Sequence, residues 1–348
     1  MCVIILLSSY NKGIVTFMRK NMLTLDNIYT AANLLCRVVR KTDVVAAPRL
    51  APGVDLYLKT ENLQTTGSFK LRGAYYKLSK LTDEERSRGV IACSAGNHGQ
   101  GVALAAAKYN TSAIICLPES APISKIEATR RYGGQICLVP GGYDDAYKAA
   151  LRLCDEHNYS FVHPFDDEDI IAGQGTVALE ILDQLSDIDE VVVPIGGGGL
   201  ASGVSYVIKK INPRIRVIGV QAENAASMLG SVAAGKLVEL DSARTIADGI
   251  AVKKPGRLTF DLCSRYLDGI VTVSDEEISF AVLKLMERHK LVAEGAGAAS
   301  VAAVMFDKIR LKSKRVVAIL SGGNIDLRTL AKVIDQGIKN QNEKLKEI

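Results

Sequence analysis

The stretch Glu61 to Leu78 reads ENLQTTGSFKLRGAYYKL, and at its centre Ser68-Phe69-Lys70 offers the most usable chemistry in the chain. An extended run at Leu56 to Lys59 passes into the turn Thr65-Thr66-Gly67. Ser68 is then placed to cap a helix that sets Leu71, Ala74, Tyr75 and Leu78 on one side. Lys70 falls in the first helical turn. There the positive end of the helix dipole disfavours an ammonium ion, and the apolar Phe69 does the same by desolvation, so both lower the amine pKa. An amine so treated can attack a carbonyl. Most lysines are only solvated surface charges, so Lys70 gains meaning from the loops that share its sheet edge.

Three further strand-to-helix loops carry polar or glycine-rich chemistry, and in open α/β sheets ligands bind at such loops. After Val90 to Cys93 comes Ser94-Ala95-Gly96-Asn97-His98-Gly99-Gln100-Gly101. Its glycines let backbone N–H groups approach a ligand, the helix start behind them favours an anion such as a carboxylate, and Asn97 and His98 add side-chain donors. After Ile195 come Gly196, Gly197, Gly198, Gly199 and Leu200, a cup of backbone donors suited to phosphate. On that loop alone a dinucleotide site stays open, because Gly196, Gly198 and Ala201 fit G-x-G-x-x-G/A and Gln221 or Glu223 ends the next strand. After the last apolar strand comes Ser321-Gly322-Gly323-Asn324, where Ser321 can donate to a ring nitrogen or cap the helix near Ile325. A reactive lysine, a phosphate cup and a hydroxyl donor on one sheet edge describe a pyridoxal phosphate site. His157, His163 and His289 read as structural.

The elements that must position these loops follow from periodicity. Helices are expected at 26–39, 70–78, 100–109, 123–132, 143–157, 176–185, 201–211 and 279–287. Strands are expected at 56–59, 89–93, 113–117, 135–139, 160–163, 190–194, 216–220 and 315–320. Strands alternating with helices predict parallel sheets, and the continuous apolar runs at 191–193 and 316–320 predict strands buried on both faces.

The composition suits a soluble two-lobed protein: 348 residues, 48% hydrophobic and 23% charged. The net charge of +5 comes without a long basic block, which argues against nucleic acid and for a small-molecule substrate. Seven scattered cysteines with no CxxC pair read as reduced thiols of a cytoplasmic protein. The apolar run Val3 to Leu7 is too short for a signal peptide or membrane span. Residues 1–21 are expected to form a leader outside the fold, with Met22 a candidate functional start. No G-x-S-x-G, Walker A or H-E-x-x-H motif occurs.

Taken together, ENLQTTGSFKLRGA, SAGNHGQG, AGQGT, PIGGGGL, IADGIAV, EGAGA and LSGGNID resemble the fold-type II pyridoxal phosphate enzymes, specifically the threonine/serine dehydratases. The resemblance runs in order from Leu23 to Ile338. Leu71 follows the lysine where threonine synthases resemble one another in an Asp, and Ala95 stands where serine racemases resemble one another in a second serine. Gln221 and Ser227 replace the acids of a divalent site in those relatives, while a monovalent cation stays compatible.

The resemblance implies a tryptophan synthase β-like α/β fold of two lobes, with parallel sheets flanked by helices. Residues 22–88 and 166–338 would form a large cofactor-binding domain, 89–165 a small mobile domain, and 339–348 a charged tail. The chain stops near where longer relatives add a regulatory domain. The resemblance also implies that Lys70 binds pyridoxal 5'-phosphate covalently beside Phe69, and that Gly196 to Gly199 and Leu200 hold its phosphate. Asn97 would meet the ring hydroxyl, Ser321 the ring nitrogen, and Glu294 and Gly249 would lie close by. Ser94, Asn97 and His98 would take the substrate carboxylate, with Phe165 a candidate wall for a substrate methyl. The implied reaction is loss of the α-proton and β-hydroxyl from L-threonine or L-serine in a homodimer or homotetramer. A racemase-like enzyme and a nicotinamide-dependent oxidoreductase are the alternatives.

Overall fold

Apolar runs without polar interruption become strands sandwiched between helices, and side chains alternate between two cores. In the computed structural model, which describes residues 23–309 and 315–346, this alternation is plain. On β7 (Glu190–Pro194), Val191 and Val193 enter one core and Val192 the other. On β10 (Arg315–Ile319), Val317 and Ile319 join the first, Val316 and Ala318 the second. The expected leader, residues 1–21 with Met22, lies outside the described residues.

Two sheets result. The larger has the order β1 (Val44–Ala46), β2 (Asp55–Lys59), β10, β7, β8 (Arg216–Ala222), β9 (Gly269–Val273), and only β1 runs antiparallel. The smaller is all parallel, β5 (Gln135–Val139), β4 (Ala113–Pro118), β3 (Val90–Cys93), β6 (Ser160–Phe161).

The crossover and flanking helices in chain order are α1 (Leu25–Leu35), α2 (Lys70–Lys80), α3 (Asp83–Arg88), α4 (Asn97–Lys108), α5 (Ile123–Arg131), α6 (Tyr143–His157) and α7 (Glu168–Gln184). They continue with α8 (Gly199–Ile211), α9 (Ser227–Ala234), α10 (Arg257–Tyr266), α11 (Asp275–His289), α12 (Gly295–Met305) and α13 (Leu327–Lys346). α1 was expected, whereas α3, α9, α10, α12, β1 and β9 were not: α3 and β1 are short, and α9 and α12 are rich in small residues.

Two differences from the expected elements have clear causes. Ser68 does not cap α2. Its backbone pairs with Gly322, the Phe69 N–H donates to the Ser321 carbonyl at 3.2 Å, and Phe69 in αR conformation opens the helix. Tertiary pairing claims the residue that local capping would have used. α7 starts at Glu168, eight residues before the expected Thr176, with Asp167 as its cap. Gly173 and Gly175 look like loop residues but pack helix on helix: a Cβ on Gly173 would stand 2.6 Å from Gly73 Cα, and one on Gly175 3.2 Å from the Gly203 carbonyl. The stretch expected as a charged tail, 339–348, continues α13 as far as Lys346.

Candidate active site

The carboxyl ends of β2, β3, β7 and β10 converge on one cavity of about 1100 Å³. Lys70, the first residue of α2, reaches into it, and its Nζ donates to the Pro164 carbonyl at 2.7 Å. Burial lowers its pKa to about 8, against the opposing pull of the Glu294 carboxylate. The Phe69 ring lies 5.4 Å from the same nitrogen. Burial is therefore the leading cause of the lowered pKa.

Opposite the amine, Gly196 to Gly199 and Leu200 line the cavity where β7 gives way to α8. Gly198 adopts φ +101°, a conformation that side chains resist. The cup is closed from behind. A Cβ on Gly197 would meet the Phe165 ring at 2.3 Å, and one on Gly198 would meet Met228 and Thr259 at 2.8 Å. Thr259 Oγ1 donates to the Gly197 carbonyl at 2.6 Å. The first N–H groups of α8 have no acceptor within the helix, so the cup suits a phosphate. The dinucleotide alternative finds no ribose partner. Glu223 is exposed, and the buried Gln221 spends its amide on the Ile195 and Ala225 carbonyls and its Oε1 on the Leu229 N–H.

The loop after β3 forms the third wall. Ser94 Oγ accepts the Gly96 N–H at 3.1 Å. Asn97 Nδ2 donates to Glu294 Oε1 at 2.6 Å, and Asn97 Oδ1 accepts from Asn324 Nδ2 at 2.8 Å. Burial, with the nearby Asp248 charge, raises Glu294 to about 7, against the Asn97 bond and the charges of Lys125 and Lys70. Gly249 lies close to it, since a Cβ there would stand 3.3 Å from Glu294 Oε1. Ser321 is buried, and its Oγ donates to the Ala296 carbonyl at 3.3 Å. The cap before α13 is Asp326, which accepts from the N–H groups of Arg328 and Thr329.

His98 is placed differently from a free donor. Its Nε2 lies 2.8 Å from the Val162 carbonyl, and burial, with the Lys70 charge, lowers its pKa to about 3. A neutral ring that donates through Nε2 has only a lone pair left on Nδ1, so the imidazole cannot donate to a carboxylate. The first N–H groups of α4, from Asn97 to Gly99, are the donors that remain there.

All the residues nominated from the sequence line this one cavity. Asn324 and the ion pair between Lys125 and Asp248 also line it and were not nominated, nor was Thr259, which supports the cup from behind. Asn324 had a signal in its position after the last strand and Asp248 in the motif IADGIAV, whereas Lys125 and Thr259 come from segments with no distinguishing pattern. Among the described residues no group of three or more His, Cys, Asp or Glu side chains could hold a metal ion. Ser227 Oγ donates to the Val252 carbonyl at 2.7 Å.

The donor set fits pyridoxal phosphate: a half-buried amine, an amide cup, a buried hydroxyl and an apolar wall. Residues 35–322 match the pyridoxal-phosphate dependent enzymes, and the chain belongs to that family. It is 50% identical over 326 residues to an L-threonine ammonia-lyase of Thermotoga maritima, covering 93% of this chain and 81% of that relative. The catabolic L-threonine dehydratase of Escherichia coli is 44% identical, covering 80% of this chain and 85% of its own. Among solved structures, the processed form of threonine deaminase isoform 2 from Solanum lycopersicum superposes with TM-score 0.85 at 39% identity, over 90% of this chain and 93% of that one. Maize serine racemase superposes at 0.86 with 35% identity, over 92% and 100%.

Proposed function

We propose that this chain is an L-threonine ammonia-lyase that converts L-threonine to 2-oxobutanoate and ammonia, and L-serine to pyruvate. The observation that carries the reading is a lysine amine with its pKa lowered to about 8, facing a glycine cup across a cavity also lined by the Ser94 loop. Identity of 50% to an L-threonine ammonia-lyase supports the choice of reaction.

Lys70 would hold pyridoxal phosphate, Gly196 to Gly199 and Leu200 its phosphate, Asn97 its ring hydroxyl, and Ser321, turning its single O–H away from the Ala296 carbonyl, its ring nitrogen. Once bound, the cofactor serves as an electron sink for the substrate Cα. Lys70, as a free amine beside the substrate Cα, would take the α-proton as general base. Ser321, a hydroxyl rather than an acid, would offer the ring nitrogen no strong proton donor, and the β-hydroxyl would leave as water, one proton taken up there for the α-proton that Lys70 removes. The N–H groups at the start of α4, with Ser94, receive the substrate carboxylate. The enamine product, once released, hydrolyses in water to the 2-oxo acid and ammonia.

Ala95 lines the cavity beside Ser94 and carries no hydroxyl, so the face opposite Lys70 lacks that proton donor for racemisation. Phe165 is the proposed wall for the threonine methyl, and such a wall changes preference by about 1–3 kcal/mol. The ratio of kcat/KM for threonine over serine in Phe165→Ala checks it. The four-stranded unit is proposed to close over substrate, drawing the Ser94 loop onto the carboxylate. Equal hydrogen-exchange protection with and without a substrate analogue would refute closure. A cytoplasmic location and a homodimeric or homotetrameric assembly accompany the proposal, and fractionation and sedimentation velocity test them. Among the described residues no helix is long and apolar enough to cross a membrane.

The deciding experiment is the visible spectrum of the purified protein before and after L-threonine, with an assay for 2-oxobutanoate. A lysine-bound cofactor band that changes on mixing, with oxo acid released, is expected. A band with no oxo acid would force another substrate. No band even after pyridoxal phosphate is supplied would overturn the reading.

A further inference from the structure

His163, which the proposed reaction leaves unused, lines the cavity while directing its bonds at backbone. Its Nδ1 accepts the N–H of Phe165 at 3.2 Å and that of Asp166 at 2.8 Å. Accepting both requires a bare Nδ1, which places the proton on Nε2 of a neutral ring. Burial keeps the ring neutral, lowering its pKa to about 4 against the charges of Asp166 and Asp167.

The turn that this nitrogen ties together, residues 163–166, touches each part of the site whose spacing matters. The Pro164 carbonyl accepts Lys70 Nζ at 2.7 Å. Phe165 lies against the cup, where a Cβ on Gly197 would stand 2.3 Å from its ring and one on Gly199 3.0 Å from its Cα. The Asp166 carboxylate accepts the N–H groups of Arg257 and Thr259 at the start of α10, each at 3.0 Å. Thr259 in turn donates to the Gly197 carbonyl. Three consecutive residues thus link the amine, the cup and the helix behind the cup.

We propose that His163 is a positioning residue: its Nδ1, as double acceptor for the turn 163–166, sets the spacing between the Lys70 amine and the glycine cup that a cofactor must span. The proposal rests on the cofactor site described above. The competing role is packing, since the imidazole meets the Phe165 ring edge to face at 4.7 Å and the Phe161 ring at 6.1 Å.

Two substitutions separate acceptor from volume. His163→Leu keeps most of the volume and removes the acceptor. His163→Asn loses volume but places a carbonyl oxygen where Asx turns accept the N–H groups two and three residues on. Affinity for pyridoxal phosphate, read from the lysine-bound band, and the melting temperature of the cofactor-free protein are measured for both beside the unsubstituted chain. Positioning separates the two readouts. Both variants melt lower, Leu because two N–H groups lose their acceptor and Asn because volume is lost, but only Leu binds cofactor at least about tenfold more weakly, while Asn binds within about threefold of the parent. Affinity that follows melting temperature in both, or a Leu variant that binds like the parent, overturns the proposal. If the Leu variant does not fold, His163→Gln replaces it. Its amide reaches one methylene too far, so it binds more weakly than Asn if the proposal holds and equally if it fails. A parent chain without any band would instead remove the cofactor site itself and this proposal with it.

Discussion

Lys70 and Arg72 stand two residues apart on α2, turned roughly 200° from one another, so that one faces the cavity and the other the interior behind the helix. Arg72 is fully buried among carboxylates. It donates to both oxygens of Glu61 at 2.7 and 2.8 Å and to both oxygens of Glu180 at 2.6 and 2.9 Å. Burial would lower its pKa, but the two acids outweigh it and raise it further. Lys70 has a backbone carbonyl within hydrogen-bond reach and feels Glu294 only as a neighbouring charge, so burial prevails and lowers its pKa. Two cations on one helix are thus driven in opposite directions by their partners. The back of α2 is saturated and serves as an anchor, while the front is left under-paired and therefore reactive.

The sharpest test of that contrast is Lys70→Met. It is expected to abolish the cofactor band and lower oxo-acid formation at least about a thousandfold. The cofactor-free variant should also be more stable than the parent, by about 1–3 kcal/mol near neutral pH, because a poorly solvated ammonium is removed. The sign follows from proton counts. With a folded pKa near 8 and an unfolded one near 10.5, the unfolded chain binds more protons between those values. The parent therefore gains stability as pH rises through that window and the gap to the variant closes. Denaturant midpoints against pH check this, and a constant gap would show that Lys70 is not strained.

Arg72→Met should act in the opposite sense, destabilising the fold by about 3–5 kcal/mol because Glu61 is left buried without its counter-ion. Unfolding at the parent's denaturant midpoint would show that the back of the helix is no anchor. A smaller effect is expected of Glu294→Gln. Its carboxylate supports the Lys70 ammonium, so its loss should shift the pH midpoint for capture of pyridoxal phosphate by the cofactor-free chain below the parent's midpoint near 8. An unmoved midpoint in stopped-flow absorbance would remove that charge from the argument. The smallest effect belongs to Lys41→Ala. The Lys41–Asp183 pair is 2.5 Å long but exposed on both sides, and its loss should leave the melting curve unchanged.

Much of the site was legible because its parts are local. Four glycines before a helix make an amide cup wherever they fold, and a lysine opening a helix stands out by its position, although the burial that lowers its pKa comes from the fold. Parallel strands were legible from alternation, and β7 matched its expected bounds because Val191 to Val193 allow no other reading. The failures share a cause. Ser68 lost its capping role to a pairing with Gly322, some 250 residues away, and α7 hid behind Gly173 and Gly175, whose smallness serves helix packing. His98 was read as a donor to substrate, and the carbonyl it is tied to belongs to Val162. His163 was read as structural, and its bonds to the N–H groups of Phe165 and Asp166 agree with that while underlying the positioning role proposed for it.

By itself the sequence determined which groups are present: the nucleophile, the cup, the carboxylate loop and the serine, along with the strand and helix periods that bring loops to one sheet edge. Tertiary structure alone decided which of those groups are already engaged. Hydrogen bonds and burial depend on partners distant in the chain, so only the folded molecule assigns Asn97 to Glu294 and Asn324, commits His98 to backbone, and leaves the Lys70 amine without a carboxylate partner.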